Sequence, residues 1–117
     1  MLKTNTKKVR EKVREFIKQN SEYGLDEIYS KFMEEEGNYI RRGETLQEAF
    51  QSWICGIPQA LDVYQDLLIY DNAKKTVAEW LEETPKEAER YNGQQAFELG
   101  SYLIFSECQK AYYKQGK

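Results

Sequence analysis

Apolar residues recur along this chain with helical spacing, and polar residues fill the gaps. Val9, Val13, Phe16 and Ile17 fall at i, i+4, i+7 and i+8, one stripe of a helix from about Thr6 to Asn20. Thr4, Asn5 or Thr6 serves as its cap, and Asn20 to Gly24 reads as its exit. Leu25, Ile28, Tyr29, Phe32 and Met33 share one face of a second helix, Leu25 to Glu36. Its last turn carries Glu34, Glu35 and Glu36, at the end where the helix dipole disfavours negative charge. Gly37-Asn38 closes it, and the segment to Gly43 reads as a loop. A third helix opens on Thr45 with Glu48 three residues on, a capping box. It presents Leu46, Ala49, Phe50, Trp53 and Ile54 and ends at Gly56.

Residues 57–71 fit a short helix or an extended piece; the helical surroundings favour the helix. A further helix, capped by Asp71 or Asn72, reaches about Glu83 with Ala73, Val77, Trp80 and Leu81 on its apolar face. Thr84-Pro85-Lys86-Glu87 starts a short helix that ends near Tyr91, and Asn92-Gly93 breaks the chain. The last helix, about Gln94 to Tyr113, is apolar on most sides, which marks a central, buried element. Gly100 within it suits the close approach of another helix. Alternating strand patterns are absent. The expectation is an all-α fold, a single compact domain of five to six helices over residues 1–117, with the C-terminal helix central. Trp53, Pro58, Trp80, Leu99, Leu103 and Phe105 are its predicted core.

Composition agrees with a folded domain. The chain has 117 residues, and 40% hydrophobic with 14% aromatic content opposes disorder despite 32% charged residues. Two cysteines, Cys55 and Cys108, do not make a disulfide framework; both read as small core hydrophobes. No apolar run reaches the ~18 residues of a membrane span, and no apolar stretch follows Met1, so a cytoplasmic protein is expected.

Catalytic chemistry is sparse. Without histidine the commonest general base and metal ligand are missing. No phosphate-cradling glycine loop or calcium loop occurs. Cys55 falls at the end of a helix, where the dipole raises a thiol pKa. Asp62, Asp66 and Asp71 cluster near the uncertain segment, and Glu79, Glu82, Glu83, Glu87 and Glu89 form an acidic stretch that reads as a solvated face. Glu107 is expected to point to solvent; buried, it would need an Arg or Lys partner. Neither catalysis nor a cofactor nor a metal is expected.

Charge is polarised. Residues 1–20 hold seven basic and two acidic side chains, and residues 21–117 hold ten and eighteen. Lys7, Arg10, Arg14 and Lys18 form a stripe on the first helix, widened by Lys8 and Lys12. Like charges at i, i+4 are mildly unfavourable, so the stripe is a candidate face for an anion. Nucleic acid, an acidic protein surface and the acidic remainder of this chain all qualify; a solvated face relieved by Glu11 and Glu15 is the plain alternative. The net charge of −3 opposes a dedicated nucleic-acid binder.

Trp53-Ile54-Cys55-Gly56-Ile57-Pro58-Gln59-Ala60-Leu61 adds a corner between two apolar stretches. Gly56 closes a helix and Pro58 forbids its continuation. With Trp80, the residues Trp53, Gly56 and Pro58 form the expected structural corner. This segment, read with the opening Lys-Thr-Asn-Thr-Lys-Lys-Val-Arg-Glu-Lys-Val-Arg, resembles a group of uncharacterised small proteins of bacterial phages and mobile elements. Tyr64, Tyr70 and Trp80 resemble that group's later elements, while Gln59 replaces an expected small Ser and the last helix is longer. The resemblance implies a mobile-element or gut-bacterial origin and assigns no functional residue. The functional expectation is an interaction module that binds a protein partner. An accessory nucleic-acid binder using the basic stripe is the alternative, and the aromatic content leaves a homodimer open.

Overall fold

The computed structural model describes residues 6–21, 23–36, 45–55, 67 and 69–114. Six helices are found among them: α1 Thr6–Asn20, α2 Leu25–Glu35, α3 Leu46–Cys55, α4 Tyr70–Trp80, α5 Pro85–Ala88 and α6 Gly93–Lys114. None of the described residues is in a strand. Pro58, the Gly56–Leu61 corner, Asp62 and Asp66 lie outside the described residues.

α6 is the hub. It packs against α1, α2, α3 and α4, while α5 packs on α4. A helix contacted from so many directions needs apolar side chains around most of its girth. Ala96, Phe97, Leu103, Ile104, Phe105 and Cys108 are accordingly all buried. Gly100 permits one of these approaches. A Cβ there would stand 3.2 Å from Leu67 Cδ2 and 3.4 Å from Val77 Cγ2. Trp53, Trp80, Leu103 and Phe105 are buried as expected, and Leu99 is half-buried against the core.

Aromatic rings fill one end of this core. Phe50 packs on Phe32, Phe105 and Trp53 with centroids 5.2, 5.3 and 5.8 Å away. Tyr29 extends the cluster to Phe105 and Tyr112, and its hydroxyl accepts a hydrogen bond from Gln109. Glu35 accepts a 3.0 Å hydrogen bond from Trp53 Nε1. One of the three glutamates ending α2 therefore serves a buried indole, which outweighs a few tenths of a kcal/mol of dipole repulsion. Elsewhere in the core the Phe16 ring stands edge-on to Trp80, 4.9 Å away.

Most helix starts follow local polar chemistry. Thr45 and Glu48 form the expected reciprocal box, as do Thr84 and Glu87. Asn92, read from the sequence only as a break, is the cap of α6: its Oδ1 accepts from Gln95 N–H, and Gln95 Oε1 accepts from Asn92 N–H. α4 departs from expectation. Its cap position is Ile69, not Asp71 or Asn72, and no side chain bonds there. The Ala73 N–H closes the first turn onto the Ile69 carbonyl at 3.0 Å, which leaves Asp71 inside that turn, where the dipole favours it.

α4 also ends earlier than expected, at Trp80. The Glu83 N–H bonds the Ala78 carbonyl, and the Glu82 N–H bonds that of Glu79. This is a Schellman closure, and it puts Glu82 in the left-handed region at φ 56°. Glycine is usual at that position.

Candidate anion-binding groove

The faces of α1 and α6 meet along a groove of about 580 Å³ lined by Arg10, Arg14, Glu107, Lys110, Ala111 and Lys114. Helical periodicity places Arg10 and Arg14 one turn apart on α1, and likewise Lys110 and Lys114 on α6. Tertiary packing then brings the two cationic pairs together.

Glu107 is the only acid among them. Its side chain is 4% exposed, and Arg14 Nη1 donates to its Oε1 at 3.1 Å. Lys110 Nζ stands 3.9 Å from its Oε2. The sequence expectation that Glu107 faces solvent is therefore corrected. α6 is covered on this side by α1, and α1 supplies the guanidinium that a buried carboxylate requires. Arg14 itself remains 47% exposed and Lys110 54% exposed. Arg10 and Lys114 have no ion pair among the described residues. Four cations thus line the groove with one carboxylate, and the groove carries an excess of positive charge on a chain whose net charge is −3.

The predicted stripe divides. Arg10 and Arg14 enter the groove. Lys18 lines a separate cavity of about 690 Å³ with Arg14, Glu11, Glu15, Tyr23 and Leu25, at the α1–α2 junction. Lys7 is exposed in the first turn of α1 and does not line the groove. Lys8 and Lys12 instead turn to the end of α4, where their Nζ atoms lie 2.9 and 3.0 Å from Glu82 Oε2. Hydrogen bonds from Lys8 and Lys12 hold the Glu82 carboxyl below its ordinary pKa. Part of the basic segment is therefore matched to the acidic remainder of the same chain. Lys110 and Lys114 are the groove residues that sequence reasoning missed. Their i, i+4 spacing, with Glu107 three residues before, was the available signal.

The acidic stretch is more than a solvated face. Glu83 is nearly buried and accepts hydrogen bonds from Arg90 and the Tyr91 hydroxyl. Glu87 closes the box with Thr84, and those hydrogen bonds lower its carboxyl pKa. Asp71 is exposed. No group of three or more His, Cys, Asp or Glu residues able to hold a metal occurs among the described residues. Cys108 is fully buried, and that burial, with Glu107 and Asp26 adding to it, pushes its thiol pKa well above the usual range. Such a thiol is a core hydrophobe, not a nucleophile. Of the expected corner, Trp53 and Trp80 are buried in separate aromatic contacts, and Gly56 and Pro58 lie outside the described residues.

Comparison with family models, with curated proteins and with solved structures finds no match to this chain. No helix among the described residues is long and apolar enough to cross a membrane.

Proposed function

We propose that this chain is a small helical interaction module, of phage or mobile-element origin, that acts in the cytoplasm by binding a protein partner and has no catalysis of its own. The observation that carries the reading is the α1–α6 groove, a cationic recess on an otherwise acidic molecule. Charge complementarity of this kind steers encounter and selects partners more than it adds affinity.

A nucleic-acid partner fits less well. A phosphate backbone is a long, regular polyanion and needs an extended basic track. Here the track is short. A polyanion following α1 from Arg14 toward Lys18 would meet Glu15, and Glu11 lines the same cavity as Arg14 and Lys18.

The test is affinity capture from host lysate with the tagged chain and its R10E/K114E variant, with and without nuclease. The expected result is a stoichiometric protein that survives nuclease and is lost with the variant. Recovery only of nuclease-sensitive material would reject the protein reading in favour of the basic-stripe alternative.

A further inference from the structure

Glu107 already shows what chemistry the groove accepts. One carboxylate, removed from solvent, is held by a guanidinium at 3.1 Å and an ammonium at 3.9 Å. Arg14 has five N–H donors, and half of its side chain still faces solvent after the bond to Glu107. Arg10 and Lys114 lie in the same groove with no acid of their own among the described residues. The groove thus holds more cationic groups than its one carboxylate pairs with.

Resting on the protein-partner reading above, we propose that the groove binds an acidic peptide segment of the partner, whose carboxylates engage Arg10, Lys114 and the exposed edge of Arg14, with Glu107 as an internal competitor for Arg14. Glu107 then has two opposing effects. It holds Arg14 in the groove through a hydrogen bond and ion pair, and it lowers the positive potential that an incoming carboxylate experiences. Because Arg14 spends one donor on Glu107, the groove is tuned below its maximal affinity. Glu11 and Glu15, which line the neighbouring cavity with Arg14 and Lys18, confine the ligand to a short segment.

Fluorescence anisotropy with a labelled hexaglutamate peptide tests this, with hexaglutamine and an oligothymidylate of equal charge as comparators. The full-length chain should bind hexaglutamate and not hexaglutamine. R10A/K114A removes two half-buried or exposed side chains that support no described contact in the core, so folding is retained; it should weaken binding by about tenfold or more. E107Q keeps an acceptor for Arg14 and removes the charge, so it should tighten binding by about threefold or more. Equal binding of the two peptides overturns the carboxylate assignment. If capture from lysate still depends on Arg10 and Lys114, the protein-partner reading survives that failure. Tighter binding of oligothymidylate than of hexaglutamate overturns both. E107Q binding no more tightly than the wild type overturns the competitor role.

Discussion

Gly100 shows how one position in α6 sets the distance between helices. Alanine is favoured over glycine in a helix interior by about 1 kcal/mol. Here the added methyl would meet Leu67 Cδ2 at 3.2 Å and Val77 Cγ2 at 3.4 Å, and both neighbours are fully buried. Overpacking a closed site costs about 1–3 kcal/mol, so it outweighs propensity. Gly100→Ala is expected to lower stability by about 1 kcal/mol, measured as a fall in the urea midpoint with an unchanged m-value. A rise in the midpoint would mean that Leu67 yields and that the close approach is not a constraint. Glu82 poses the opposite case, a side chain where glycine would relax the backbone. Its φ of 56° is strained for a residue with a Cβ, while its carboxylate joins Lys8 and Lys12. Ala at this position keeps the strain and loses both ion pairs; Gly loses the pairs and relieves the strain. E82G should therefore melt above E82A. The reverse order in a thermal scan would mean that the Schellman closure holds without strain.

At the scale of elements, the acid sensitivity of the molecule concentrates around α5. Hydrogen bonds from Lys8 and Lys12 lower the Glu82 carboxyl pKa, and the Thr84 backbone and hydroxyl lower that of Glu87. A carboxyl depressed in the folded state contributes stability that is fully present above its unfolded pKa, ~4.3. That contribution is lost as pH falls through the folded values. Wild type and E82Q/E87Q should thus differ most at neutral pH and converge in acid, followed by urea unfolding at stepped pH. A gap that widens in acid would assign the wrong sign to both groups. These capped elements were also the legible ones. Thr45, Thr84 and the Val9-Val13-Phe16-Ile17 stripe mark their helices within a few residues of sequence. The start of α4 was not legible, because Ile69 carries no capping side chain and the polar pair Asp71-Asn72 is a misleading local signal. Packing of Ala73 and Val77 into the core decides that start, and packing is not a local property.

For the molecule as a whole, the central issue is how a basic helix joins an acidic body. Arg10 and Arg14 were legible as one face of α1, but Lys110 and Lys114 were not joined to them, because the Arg14–Glu107 pair spans 93 residues. No periodicity reports a contact of that range. Apolar burial holds α1 in place, together with the Arg14–Glu107 pair and the exposed pairs to Glu82. Val9, Val13 and Ile17 are buried, and burying such side chains contributes about 1.5–3 kcal/mol each. The pairs of Lys8 and Lys12 with Glu82 are exposed, so water and salt screen them and they contribute little. Apolar burial therefore dominates. Raising NaCl from about 50 to about 500 mM should change the urea-measured stability by less than ~1 kcal/mol. Over the same range, binding of an acidic segment in the groove should weaken steeply, since Arg10, Arg14, Lys110 and Lys114 all act on it through partly hydrated charge. Stability that falls as steeply as binding would mean that α1 is held by its charges, and that an anionic partner would compete with the fold itself. Flat stability beside steep binding would separate the two faces of α1, with buried Val9, Val13 and Ile17 fastening the helix and Arg10 and the exposed edge of Arg14 left to receive an anion.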